Sequence, residues 1–363
     1  MSQDLLTWYK VGGMVKLVMN GESDMYMAID LFSGCGGLTQ GLHDAGFTVG
    51  AAVEIDSLAA ETYAANHSGV SLFNADIRSV SATQIMEACG IEKGDLDLLA
   101  GCPPCQGFSR LRLNNKRKRM DDPRNRLIDE VFRMVNEIQP KVVMLENVPN
   151  LSRYTRYLDF KKKLRKLGYE ISDQILDAAD FGVPQRRKRL VLLASRLGKI
   201  SHLTPIIRRN TVRDSIGNLP ANIVEKDSLH NQGEQRSERI RQLISAIPKD
   251  GGSRKSLSAN LTLKCHKKQE GFCDVYGRMR WDDVAPTITG GCINPSKGRF
   301  LHPTEDRAIT LREAALLQSF PPNYVFLMRR GKYAAAQMIG NALPPIFSRV
   351  QAEVIKCHLA NKQ

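Results

Sequence analysis

Acidic residues are in short supply: 38 Asp and Glu stand against 52 Lys and Arg, leaving a formal net charge of +14. An excess of that size points to a polyanionic partner, and nucleic acid is the commonest one. Also missing is any apolar run long enough to span a bilayer, and no signal segment is read at the N-terminus, so no membrane partner is expected. Cysteines number 8 in 363 residues and show no framework spacing. That excludes a disulfide scaffold and fits a reducing, cytoplasmic compartment. Cys102, Cys105, Cys265, His266 and Cys273 match no standard pair of zinc knuckles, so no metal site is expected. A hydrophobic content of 42% is enough for one large core or two.

What is present begins after a mixed leader. Residues 1–24 are broken by Gly12-Gly13 and Asn20-Gly21 and are expected to be poorly ordered and without chemistry. Met25–Leu31 reads as a first strand, followed by the turn Asp30-Leu31-Phe32-Ser33-Gly34-Cys35-Gly36-Gly37 and a helix bearing Leu38, Leu42 and Ala45 on one face. Strand, glycine turn and helix bring backbone N–H groups against a ligand at a helix N-terminus. The spacing G-x-G-G departs from G-x-G-x-x-G, which weakens a nicotinamide or flavin reading. A second strand, Thr48–Val53, delivers Glu54 about 20 residues past the glycines, where a carboxylate accepts from ribose hydroxyls. Asp76 follows a further apolar run, Val70–Phe73, and is suited to an exocyclic amine of adenine. In series, these signals imply an adenosine-containing cofactor.

The apolar run Leu96–Ala100 reads as a buried parallel strand, and it delivers Gly101-Cys102-Pro103-Pro104-Cys105-Gln106-Gly107-Phe108-Ser109. Open α/β sheets hold ligands at the carboxyl ends of their strands, and two prolines restrict the path ahead of Cys105. A thiol displayed rigidly at a cleft is a candidate nucleophile. The basic loop 110–126, with Lys116-Arg117-Lys118-Arg119, reads as a lid that lands on phosphates. A core helix follows, with Leu127, Val131, Val135 and Ile138 at helical spacing, then the strand Lys141–Leu145. That strand brings Glu146 to the same cleft mouth, ahead of the corner at Pro149. After a basic helix, Tyr157–Leu167, come strands Glu170–Asp177 and Leu190–Ser195. Alternation in the segment between them puts Gln185, Arg187 and Arg189 on one face, as recognition donors or as ordinary surface charge.

From residue 200 the regular α/β alternation stops. Residues 200–300 are polar and rich in turn formers, with basic pairs at Arg208-Arg209 and Arg254-Lys255, and with Tyr276 and Trp281 interleaved with Arg278 and Arg280. This suggests a smaller, irregular nucleic-acid-facing domain beyond a hinge. Thr310–Phe320 reads as a helix with a Thr310/Glu313 capping box. Gly340-Asn341-Ala342-Leu343-Pro344-Pro345 precedes a last helix, Ile346–Leu359, expected to pack back on the first domain.

In this order the motifs resemble those of the DNA (cytosine-5) methyltransferases of bacterial restriction–modification type. The resemblance rests on DLFSGCGG at 30–37, Glu54, Asp76, PPCQGFS at 103–109, ENV at 146–148 and QRRKR at 185–189. ITLREAALLQSFP at 309–321 and GNALPP at 340–345 complete it. Cys102 stands where the family often has glycine, and Leu343 where valine is frequent. The resemblance implies a Rossmann-like class I methyltransferase large domain at 25–199, a target-recognition domain at 200–330, and a C-terminal segment, 331–363, returning to the large domain.

It further implies S-adenosyl-L-methionine as cofactor, with S-adenosyl-L-homocysteine as product. Asp30, Phe32, Gly34, Gly36, Gly37, Glu54, Ile55, Asp76, Ile77, Pro104, Leu127 and Asn341 would form its pocket, with an aliphatic Ile55 packing on adenine. Cys105 would attack the base, Glu146 would hold N3, Arg189 would bind O2, and Arg187 would support Cys105, Glu146 or a phosphate. Gln106, Ser109, Lys116, Arg117, Lys118, Arg119, Arg124 and Gln185 would contact double-stranded DNA. A monomer in the bacterial cytoplasm, associated with the nucleoid and with a separately acting restriction endonuclease as companion, is the implied setting. Two rival readings remain: an RNA methyltransferase, since one eukaryotic branch of the family modifies tRNA, and a catalytically silent DNA-binding module. The sizeable irregular segment argues against the first, and intact Cys105, Glu146 and Arg189 against the second.

Overall fold

Alternation of buried strands with amphipathic helices builds one sheet. The computed structural model describes residues 7–11, 14–18, 26–104, 126–205, 209–231, 233–263, 266 and 274–362. Its seven-stranded sheet uses β3 (Tyr26–Leu31), β4 (Phe47–Val53), β5 (Ser71–Phe73), β6 (Leu98–Gly101), β7 (Val142–Asn147), β8 (Glu170–Asp177) and β9 (Lys188–Ser195). The order across it is β5-β4-β3-β6-β7-β9-β8. Strands β5 through β7 are parallel, whereas β9 runs antiparallel to both its neighbours. The chain steps outward from β3 to β5, then returns to the other side of β3 as β6. That reversal is the topological switch point at which open α/β sheets bind ligands.

Helices α1 (Gly37–Asp44), α2 (Ser57–Asn66), α3 (Ala82–Cys89), α4 (Leu127–Ile138) and α5 (Thr155–Lys166) belong to the sheet-forming part of the chain. Two apolar clusters cover the sheet. One joins Ile29, Leu31, Leu99, Val143 and Leu145 to Val131, Val135 and Ile138 of α4 and to Tyr157 and Phe160 of α5. The other joins Ala28, Leu98 and Met144 to Leu38 and Leu42 of α1 and to Phe347, Ala352 and Ile355 of the last helix, α11 (Pro345–Ala360). Such two-sided burial explains why these strands read as continuous apolar runs.

Two short strands precede the sheet. β1 (Thr7–Val11) and β2 (Met14–Val18) pair antiparallel in register from Thr7 opposite Val18 to Val11 opposite Met14. In the sequence, a two-residue Gly-Gly link between β-prone runs is a hairpin signal.

Beyond residue 200 the described chain contains short helices: α6 (Val212–Ile216), α7 (Ala221–Lys226), α8 (Glu238–Ser245), α9 (Leu311–Leu317) and α10 (Lys332–Asn341). Their packing is shared between two clusters. Leu243, Ile244, Ile247, Tyr276 and Leu301 form a small core of their own. Val212, Ile216, Ala314, Leu317, Phe320, Tyr324 and Ile339 instead share a core with Cys35 of the glycine turn and with Leu58 and Ala59 of α2. The expected capping box on α9 is formed, with Thr310 and Glu313 bonded reciprocally. Among the described residues no helix is long and apolar enough to cross a membrane.

Candidate active site

Register fixes which side chains meet. Leu31 pairs with Val53 on one side and with Gly101 on the other, and Gly101 pairs with Leu145. Residues just past these positions therefore line up along one sheet edge: Glu54, Phe32, Cys102 and Glu146.

The glycine turn leaves β3 through left-handed backbone at Phe32 (φ 62°), Gly34 (φ 55°) and Gly36 (φ 94°). Phe32 pays a strain penalty that glycine would avoid, the kind of local cost found at ligand sites. A methyl group built on Gly34 meets nothing within 4 Å, so the turn is open on that side. Behind Gly37 there is no such room, because a Cβ would lie 2.3 Å from the Leu343 carbonyl oxygen. Glu54 closes the turn from the neighbouring strand by accepting from Gly34 N at 2.8 Å and from Asp56 N at 2.7 Å. Burial raises its pKa above the ordinary carboxylate value, against the pull of these two N–H donors. Ile55 is 65% exposed beside it.

Asp30 is fully buried at the carboxyl end of β3. Its Oδ2 accepts from Thr39 Oγ1 at 2.7 Å, while Oδ1 has no partner among the described residues. Burial pushes its carboxyl up to about 7. Asp76 caps the turn after β5 and is engaged by Arg78, whose Nε lies 2.9 Å from Oδ1. Ile77 has its side chain in the sheet core, and its carbonyl accepts from Arg133 Nη2 at 2.8 Å. Pro104 and Leu127 are half-buried, and Asn341 is exposed at the end of α10. An open turn, an exposed apolar side chain, an anchored carboxylate and an orphaned buried carboxylate oxygen together suit an adenosine group carrying positive charge.

The second half of the site starts at β6. Cys102 N donates to Leu31 O at 3.2 Å, and Asn147 Nδ2 donates to Pro103 O at 2.8 Å, tying the proline turn to both neighbouring strands. Burial, then the Glu146 and Asp30 carboxylates, hold the Cys102 thiol well above its ordinary pKa, so it is not a thiolate at neutral pH. Glu146 lies inside β7, opposite Val191, rather than beyond the strand end. Its Oε1 accepts from Arg189 Nε at 2.7 Å, with side chains only 9% and 15% exposed. Cys105, Gln106, Ser109, Lys116, Arg117, Lys118, Arg119 and Arg124, with most of the basic loop, lie outside the described residues.

Gln185 does not face outward as a DNA contact would, and Arg187, expected to support Cys105, Glu146 or a phosphate, is buried beside it. The alternation is as read, but the face they share with Arg189 is covered by other parts of the chain. Gln185 is fully buried; its Nε2 donates to Leu317 O (2.9 Å) and Gln318 Oε1 (2.6 Å), and its Oε1 accepts from Ile288 N (3.0 Å). Arg187 donates to the carbonyls of Ile288, Gly340 and Ala342 at 3.0–3.1 Å. Burial, reinforced by Arg189, lowers its guanidinium to about 9, still charged at neutral pH. It therefore ties β9 to the backbone on either side of Asn341. Sequence reasoning missed Asn147 and Gln318 as fixtures of the site. The Asn of Glu-Asn-Val carried a signal, whereas Gln318 sits in a helical pattern that announces no partner.

A family model for C-5 cytosine-specific DNA methylase matches residues 26–357. The chain is 37% identical over 346 residues to a type II methylase, M.HgiDII, of Herpetosiphon aurantiacus, covering 90% of this chain and 94% of that one. It is 35% identical to the type II methyltransferase M1.HphI of Haemophilus parahaemolyticus, covering 90% and 86% respectively. Among solved structures, a putative DNA modification methyltransferase encoded within an Escherichia coli prophage superposes with a TM-score of 0.66 at 25% identity, covering 92% of this chain and 99% of that one. Entamoeba histolytica methyltransferase EhMeth shares the fold, with a TM-score of 0.63, 18% identity and coverage of 93% and 99%. With the sheet-edge carboxylates, the glycine turn and the Glu146–Arg189 pair in place, the chain belongs to the C-5 cytosine-specific DNA methylase family and is a DNA (cytosine-5) methyltransferase.

Proposed function

We propose that the chain methylates C5 of a cytosine flipped out of duplex DNA, through covalent addition of Cys105 at C6. The observation that carries this reading is the Glu146–Arg189 pair, 2.7 Å apart across β7 and β9, with Glu146 next to Asn147, which holds the proline turn ahead of Cys105. C5 of an aromatic, electron-poor ring is a weak nucleophile, and addition at C6 turns it into an enamine-like carbon. Negative charge then spreads into the ring. Glu146 holds N3 in a protonated, hydrogen-bonded state, and Arg189 binds O2 while fixing the Glu146 carboxylate. The nucleophile is the thiolate, whose fraction at Cys105 cationic groups placed beside it would increase. After transfer, the C5 proton is lost to a base such as water, and Cys105 is eliminated. None of this is accessible in a stacked duplex, which makes base flipping part of the reading.

S-adenosyl-L-methionine supplies the methyl group as an electrophilic carbon on its sulfonium and leaves as S-adenosyl-L-homocysteine. Phe32 and the glycine turn, Glu54, Ile55, Asp76 and Asn341 are the residues assigned to hold it. Residues 25–199 would carry chemistry and cofactor, and 200–330 would read the DNA sequence, with basic residues of 106–126 closing on the backbone. A monomer acting in the bacterial cytoplasm beside a separate restriction endonuclease is the proposed setting.

The test is methyl incorporation from labelled cofactor into duplex DNA and into tRNA. Transfer to duplex DNA is expected, and activity confined to tRNA would overturn the substrate reading. Cys105→Ser is expected to abolish transfer while retaining DNA binding; unchanged turnover removes Cys105 from the nucleophile role. DNA carrying 5-fluorocytosine should trap a covalent complex, because the proton to be eliminated is missing.

A further inference from the structure

Residues 320–330 run between α9 and α10 and are no part of the catalytic assignment above, yet they make a ladder of polar contacts with α2 and the glycine turn. The Asn66 amide spans the Val325 backbone, donating to its carbonyl and accepting from its N–H, both at 2.9 Å. Leu327 N donates to Thr62 Oγ1 at 3.3 Å. Arg329 pairs with Glu61, and Arg330 pairs with Asp56, the N-cap of α2. Four residues of α2 and its cap are thus engaged from one side. That cap stands two residues beyond Glu54.

Tyr324 reaches furthest inward. It is 3% exposed, and its hydroxyl donates to the Cys35 carbonyl at 2.5 Å, inside the glycine turn. His67 Nε2 lies 2.9 Å from the same hydroxyl. A phenol has one proton to give, and here it goes to Cys35 O, so His67 Nε2 must be the donor in the second bond. The hydroxyl sits directly beneath the turn: a Cβ on Gly36 would lie 2.7 Å from Tyr324 Oη and 2.4 Å from His67 Nε2. At its other face the segment is anchored by Arg312, which donates to Tyr324 O at 2.9 Å and pairs with Asp227.

We infer that residues 320–330 brace the cofactor pocket, with Tyr324 as a positioning residue that holds the glycine turn through the Cys35 carbonyl. Cys35 lies between Gly34 and Gly36, so its carbonyl sets the path of the open turn. Without the hydroxyl, Cys35 O and His67 Nε2–H lose a partner in a buried site, and the turn samples conformations that do not fit the ligand. The brace acts on binding and leaves the chemistry at Glu146 and Arg189 untouched. The inference rests on the assignment of the glycine turn and Glu54 to the cofactor.

The experiment measures the affinity of the full chain for S-adenosyl-L-homocysteine by calorimetry, and kcat and KM for S-adenosyl-L-methionine on duplex DNA. Tyr324→Phe is expected to weaken S-adenosyl-L-homocysteine binding about tenfold and raise KM in proportion, with kcat at saturating cofactor within about twofold. A merely structural role would lower kcat, or lower the active fraction at constant KM. Asn66→Ala, which unhooks Val325 while sparing the turn, provides a second reading if Tyr324→Phe folds poorly, and a rise in KM is expected there too. Glu54→Ala separates the two claims. If it retains wild-type affinity, the cofactor assignment fails; if it loses affinity while Tyr324→Phe and Asn66→Ala do not, the brace fails.

Discussion

Replacing Gln185 with methionine separates a DNA-reading role from a structural one. Methionine is close in volume and unbranched, so the packing change is small and the loss is that of the amide. Three buried groups then lose a partner: Leu317 O, Gln318 Oε1 and Ile288 N, at 2.9, 2.6 and 3.0 Å in the native protein. Leaving a neutral buried polar group unsatisfied costs about 1–3 kcal/mol, so partial relaxation puts the total at roughly 3–6 kcal/mol. That is a large share of the roughly 5–15 kcal/mol by which folded proteins are stable. With a urea slope of about 3 kcal/mol per M, the unfolding midpoint should fall by about 1–2 M. The assay is equilibrium urea unfolding followed by circular dichroism, alongside DNA binding at low temperature, where the variant remains folded. Affinity and sequence preference per folded molecule should be unchanged. An unshifted midpoint combined with altered sequence preference would refute the reasoning and return Gln185 to the DNA surface.

Further expectations test other parts of the molecule. Gly41→Ala should destabilise by about 1–3 kcal/mol in the same unfolding assay. Its Cβ would lie 2.4 Å from Ser348 Cβ and 2.5 Å from Pro345 O, against the backbone of α11; unchanged stability would mean that the helices are not packed this closely. Arg189→Met should lower kcat about 100-fold or more while leaving S-adenosyl-L-homocysteine affinity unchanged, because Glu146 loses the cation 2.7 Å away; a kcat near wild type would remove Arg189 from the chemistry. Burial pushes the Asp30 carboxyl up to about 7 from its ordinary 3.8, so the folded state holds the proton more tightly. Its contribution is most favourable below pH 4 and declines as pH rises to about 7, by up to roughly 4 kcal/mol. Asp30→Asn should remove that slope from stability–pH curves, and an identical slope in the variant would show that other groups carry it. DNA affinity should fall steeply with salt, by about one power of salt concentration per phosphate contacted; a flat dependence would mean that the +14 charge serves something else.

Much of the fold was legible because its signals are local. Leu98–Gly101 and the first four residues of Val142–Asn147 are buried runs without a polar side chain, and a strand buried on both faces advertises itself that way. The α9 capping box is likewise written within four residues, Thr310 to Glu313. The β1–β2 pairing is harder to read locally, because glycine both ends an element and turns one. Strand boundaries moved by a residue or two, and one such shift took Glu146 inside β7.

The residues of one sheet edge could be named from sequence because each follows its own strand, and parallel register carries them to a common rim. Sequence alone thus determined the order of the strands along the chain, the glycine turn, and the candidacy of Glu54, Glu146 and Arg189. Whether a polar side chain looks outward or inward was decided only by tertiary structure. Gln185, Arg187 and Arg189 alternate identically, yet the first two are enclosed by residues 285–288, 317–318 and 340–342, more than 90 positions along the chain. The same holds for Tyr324, which meets the carbonyl of Cys35 across 289 positions. A hydrogen-bond donor carries no mark of its acceptor in its own neighbourhood; only the folding of distant segments against each other supplies one.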